Sequence, residues 1–155
     1  MVPRLFSLVR GSHLPTTIRT SSLSLLATCA DTADLALLPY AHDLANAMLD
    51  LLQVEGNAPA RASLPSTEAE AAASMDSEPT TADARFPPFR RASLHFLGVL
   101  VRAYTRRGNS DDFPVRRAIA TLGYVAATDA DAIVRVMARE VGEAVRALEH
   151  ACIGI

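Results

Sequence analysis

At 155 residues, half of them hydrophobic, the chain has material for one domain with its own core. A net charge of −2 is too small to imply a nucleic-acid or membrane partner. Aromatic residues are only 5% and tryptophan is absent, a composition that disfavours a β-sandwich and suits helices packed by Leu, Val and Ala. All fifteen basic residues are arginine, which beside so much alanine reads as genome composition bias before it reads as selection for phosphate.

In chain order, Met1 to Val9 is a short apolar run broken by Arg4, unlike a secretory signal. No window anywhere reaches the ~20 apolar residues of a membrane span. Residues 1–15 read as the N-terminal remnant of a preceding repeat, the tail of a helix without a partner, ended by Gly11, Ser12 and Pro15. Residues 16–54 read as a first helical hairpin. Its first helix, about 16–29, has Ile18, Ser22, Leu25, Leu26 and Cys29 as its inward stripe. Asp31-Thr32-Ala33-Asp34 makes the turn. The second helix, about 35–54, tolerates Pro39 near its first turn and points Leu38, Ala41, Ala45, Met48 and Leu52 inward.

Residues 55–86 are an acidic Ser/Thr/Pro-rich insertion with almost no large apolar side chain, so disorder is expected there. Residues 87–151 return to helical patterning. Pro87-Pro88 opens a helix of about 88–106, where a missing N–H costs least. Arg91, His95, Arg102 and Arg106 share one narrow face of it, and every other face is apolar, so neighbours should cover Phe96 and Leu100. Arg106-Arg107-Gly108 is a helix stop. A helix of about 114–127 follows, with Val115, Ala118, Ile119, Leu122, Val125 and Ala126 on its apolar side. The last helix, about 130–151, has Ile133, Met137, Val141, Ala144 and Leu148 as its stripe. Cys29 and Cys152 sit in apolar helical contexts, as buried reduced thiols of a cytosolic or nuclear protein do.

Two of these helices repeat a pattern. Set Thr17-Ile18-Arg19-Thr20-Ser21-Ser22-Leu23-Ser24-Leu25-Leu26-Ala27 against Pro88-Phe89-Arg90-Arg91-Ala92-Ser93-Leu94-His95-Phe96-Leu97-Gly98, and the Arg, Ser, both Leu and the closing small residue coincide. A looser third copy begins at Pro114-Val115-Arg116-Arg117-Ala118. Repeated helices mean stacking, so the expected fold is all-α, a HEAT/armadillo-like α-α superhelix in the form of a short helical solenoid.

Catalytic patterns are missing: there is no Gly-rich phosphate loop, no Gly-x-Ser-x-Gly and no His-Glu-x-x-His. His13, His42, His95 and His150 lie at no metal-ligand spacing from a cysteine or one another. The chain is therefore read as no enzyme, with no cofactor, metal or small-molecule substrate. Asp129-x-Asp131 precedes a helix and reads as its cap. Arg90-Arg91-Ala92-Ser93-Leu94 matches the preference of basophilic kinases, but Ser93 falls inside a helix expected to be buried. Arg91, Arg102, Arg106, Arg107, Arg116 and Arg117 are the candidate partner-binding residues, an arginine ridge. The plainer reading is a solvated solenoid edge partly neutralised by the acidic insertion. No interleaved aromatics offer a platform for bases.

The segments Thr17 to Leu26, Leu37-Leu38-Pro39-Tyr40, Leu49-Asp50-Leu51-Leu52-Gln53-Val54-Glu55 and Arg90 to Leu97, in that order and spacing, resemble the C-terminal region of the RNA polymerase II assembly factor family. Animal members are called transport and Golgi organisation protein 6. The resemblance covers residues 14–150, the insertion excepted. It implies a non-catalytic HEAT-repeat scaffold or adaptor that binds partner proteins, such as RNA polymerase II subunits or transport factors. The roles it implies are polymerase assembly and nuclear import, as in fungal relatives, or protein secretion and Golgi organisation, as in animal ones. It further implies a cytoplasmic chain that shuttles to the nucleus, and it supplies no catalytic residues. Relatives are long solenoids, so the chain corresponds to their last repeats. The alternative reading is a nucleic-acid-binding helical repeat that uses the arginine ridge.

Overall fold

The computed structural model describes residues 1–11, 13–53, 87–108 and 112–153. Among them the chain is all-helical, with six α-helices and no strand. They are α1 (Val2–Arg10), α2 (Thr16–Thr32), α3 (Asp34–Gln53), α4 (Pro87–Arg107), α5 (Val115–Thr128) and α6 (Ala132–Ile153). The expected disorder of 55–86 lies outside the described residues.

Local chemistry explains the boundaries. Only Ala33 separates α2 from α3, and its N–H bonds back to the Cys29 carbonyl at 2.8 Å, closing α2. Pro87 and Pro88 occupy the first turn of α4, and Gly108 ends it in the left-handed region at φ 64°, open to a residue without Cβ. Asp131 caps α6: its Oδ1 accepts the Val134 N–H at 2.9 Å.

The helices pack in two rows. In one, α4 lies between α2 and α6; in the other, α3 lies between α1 and α5. The rows are tied by α1 on α2, α3 on both α2 and α4, and α5 on α6. With α2, α3 and α6 around it, α4 has little surface left for water. Phe89, Leu94, Phe96, Leu97, Val99, Leu100 and Val101 are at most 2% exposed. The expected strip faces out, with His95, Arg102 and Arg106 exposed and Arg91 half-buried, and Pro88, Thr105 and Arg107 are exposed at the two ends of the helix.

Three expectations are corrected. The stripe of α2 is rotated: Ile18 and Leu25 are 44% and 52% exposed, while Thr16, Arg19, Ser22, Leu23, Leu26, Ala27 and Ala30 are buried. The cause is Arg19, which hydropathy sends outward but which finds an acceptor and an aromatic ring inside. In α6, Ile133 is 51% exposed and the buried line is Val134, Ala138, Val141, Val145 and Leu148. These smaller side chains let α6 approach α4; a Cβ added at Gly98 would stand 3.3 Å from Val141 Cγ2. Finally, α1 has partners: it packs on α2 and α3, with Val9 fully buried.

Candidate partner-binding ridge

The repeated segment has a physical meaning. Arg19 and Arg90, Ser22 and Ser93, Leu23 and Leu94, Leu26 and Leu97, and Ala27 and Gly98 are all buried, and they lie on the adjacent helices α2 and α4. Both serines donate to the carbonyl four residues back, Ser22 Oγ to Ile18 O at 2.8 Å and Ser93 Oγ to Phe89 O at 2.9 Å. The third copy does not share this pattern, since Arg116 is exposed and Arg117 half-buried.

Each buried arginine is tied to a neighbouring element. Arg19 Nε donates to the Val9 carbonyl at the end of α1 at 2.9 Å, and its guanidinium carbon lies 4.1 Å from the Phe89 ring centroid. Burial lowers the pKa of Arg19 from its ordinary value. Arg90 and Arg91 grip the α5–α6 loop. Arg90 Nε donates to Asp129 Oδ2 at 2.8 Å, its Nη2 bonds the same oxygen, and both side chains are 7% exposed. Arg91 Nη2 donates to Asp131 Oδ2 at 2.5 Å. Asp129 Oδ1 accepts the Asp131 N–H at 2.9 Å, and Arg135 Nη1 donates to the Asp129 carbonyl at 2.6 Å. The Arg91 hydrogen bond, aided by the Val134 N–H, holds the Asp131 carboxyl below its usual range. Asp129-x-Asp131 is thus a cap, as its place before a helix implies, and also the receptor of an arginine pair. The second role was missed; its only sequence signal is an Arg doublet facing an Asp-x-Asp.

A polar seam joins α3 to α5. The Asp112 carbonyl lies 2.6 Å from His42 Nδ1, and Asn46 Nδ2 donates to His42 Nε2 at 2.9 Å, which assigns the imidazole proton to Nδ1. Arg117 Nη1 donates to Asn46 Oδ1 at 2.8 Å, while its Nη2 pairs with Asp50 and donates to Gln53 Oε1 at 3.1 Å. Gln53 Nε2 donates to Thr121 Oγ1 at 2.9 Å. His42, Asn46, Asp50 and Gln53 recur at helical spacing and so share one face of α3.

The six candidate arginines therefore separate. Arg91 belongs to the clamp at the start of α4 and Arg117 to the seam. Arg102, Arg106 and Arg107 are exposed in the last turns of α4, and Arg116 is exposed in the first turn of α5, which the chain brings to the same end of the molecule. Arg102, Arg106 and Arg116 carry no ion pair among the described residues. Beside them run two concavities. One, about 130 Å³, lies between α4 and α6 and is lined by Leu94, His95, Gly98, Arg102, Met137, Glu140, Val141 and Ala144. The other, about 340 Å³, is lined by Leu38, Tyr104, Arg107 and Asp112. Tyr104 meets Phe113 edge-on at 5.2 Å, and burial, with the nearby Asp112 charge, raises its pKa. No described helix is long and apolar enough to cross a membrane. No protein-family model, no curated protein and no solved structure matches this chain.

Proposed function

We propose that the chain is a HEAT-type helical scaffold that binds a partner protein and carries out no chemistry of its own. The observation that carries this reading is the burial of the same five repeated positions in α2 and α4, side by side in one of two rows of helices. A repeat buried in that way stacks on its neighbours and leaves its edges for recognition. Arg102, Arg106, Arg107 and Arg116 then form a basic edge for an acidic protein surface. The resemblance to the RNA polymerase II assembly factor family supplies the partner class. It comprises polymerase subunits or transport factors, met in the cytoplasm during complex assembly and nuclear import or during protein secretion.

The test is binding to immobilised RNA polymerase II subunits by the wild-type chain and by the variant Arg102→Glu/Arg106→Glu/Arg116→Glu. The wild type is expected to be retained and the variant to bind at least about tenfold more weakly, with its helical content unchanged. Failure of the wild type to bind contradicts the polymerase reading, and equal binding by the variant contradicts the basic edge. A salt-dependent shift of labelled RNA by the wild type replaces both with nucleic-acid recognition.

A further inference from the structure

Ser93 stands in the sequence Arg90-Arg91-Ala92-Ser93-Leu94, with arginines three and two residues before it and an apolar residue after it. That is the pattern basophilic serine kinases take from an extended, accessible segment. In the folded chain every part of it is occupied. Arg90 is bound to Asp129 and Arg91 to Asp131. Leu94 is fully buried, Ser93 is 1% exposed, and its Oγ donates to the Phe89 carbonyl inside α4. We propose that Ser93 is a phosphorylation site of the unfolded chain alone, modified by a basophilic serine kinase before α4 packs, and that the modified chain cannot fold.

The step is an ordinary phosphoryl transfer. Ser93 Oγ attacks the terminal phosphorus of ATP, and the bond from that phosphorus to the bridging oxygen breaks. ADP leaves, and the hydroxyl proton passes to the carboxylate base of the kinase. The product carries about two negative charges on a side chain that native packing holds out of water. The buried guanidinium of Arg19 on the adjacent helix lies against Phe89, one turn before Ser93, and is already committed to the Val9 carbonyl. Arg90, one turn back, already serves Asp129. Folding and phosphorylation at Ser93 therefore exclude each other, and a slow-folding or damaged chain is marked while a packed one is protected.

The experiment uses the full chain. Wild type, Leu97→Asp and Leu97→Asp/Ser93→Ala are incubated with the catalytic domain of a basophilic serine kinase and ATP, and sites are mapped by mass spectrometry. Leu97 is fully buried, so a carboxylate there opens α4 while leaving residues 90–94 intact. Leu97→Asp should be phosphorylated at Ser93 at least about a hundredfold faster than wild type, because a stable chain is open in about one molecule in a thousand or fewer. The double variant should lose that signal. Ser93→Glu in the wild-type background should lose the cooperative thermal transition that Ser93→Ala keeps. Equal rates for wild type and Leu97→Asp, no Ser93 phosphate on Leu97→Asp, or a native melt for either Leu97→Asp or Ser93→Glu overturns the proposal.

Discussion

Arg19 is the side chain on which the local design turns. A guanidinium stays charged at any ordinary pH, so its burial must be matched by an acceptor and a polarisable surface. The Val9 carbonyl and the Phe89 face supply both, and in doing so they bind α1 and α4 to α2. Arg19→Ala is expected to cost about 2–4 kcal/mol in urea denaturation, from the cavity and the orphaned carbonyl together, and Arg19→Met to recover part of it by refilling the space. Thr16 is the opposite case: its hydroxyl is buried with no hydrogen bond among the described residues. Thr16→Val keeps the shape, removes the unpaired group and should stabilise by about 1 kcal/mol. Asp131 sets an acid limit. Its carboxyl is held below its usual range when folded, so it stabilises above the ordinary carboxylate pKa, and that contribution is lost as pH falls through the lowered folded value. Asp131→Asn should therefore flatten the fall of melting temperature with pH in that acid window; an unchanged slope contradicts the Arg91–Asp131 pairing.

Helices differ in how much of them periodicity discloses. The position of all six and the covered state of α4 were legible, because long apolar runs at helical spacing leave few alternatives. The rotation of α2 was not. Its Ser/Thr-rich surface gives no strong apolar side, and Arg19 lies inside against its usual preference. Nor was the rotation of α6, where Val134 and Ala138 face the core and the larger Ile133 faces water. Two glycines test the packing. Nothing lies within 4 Å of a Cβ added at exposed Gly123 in α5, so Gly123→Ala should stabilise by about 0.5–1 kcal/mol through helix propensity. At Gly98 the same methyl crowds Val141 Cγ2, so Gly98→Ala should gain less than Gly123→Ala or destabilise. The α3–α5 seam is half-exposed, and a double-mutant cycle on Arg117 and Asp50 should give a coupling of only about 0.5 kcal/mol.

For the whole molecule, sequence names the six candidate arginines but not how they are arranged in space. Sequence places Arg91, Arg102, Arg106, Arg107, Arg116 and Arg117 near one another. Tertiary pairing removes Arg91 to Asp131 and Arg117 to Asp50, and their partners stand 40 and 67 residues away. Long-range ion pairs leave no local period to read. What remains is a helical fold centred on α4, which touches α2, α3 and α6 and through them orders both rows. Native-state hydrogen exchange probes that centre most directly. The amides of Leu94 to Tyr104 should exchange only through global unfolding, at the highest protection in the chain, with α2 and α6 next and the ends of α1 and α6 fraying first. Exchange in Leu94 to Tyr104 as fast as in the fraying ends would contradict a fold built around a buried α4, and the proposed scaffold role with it.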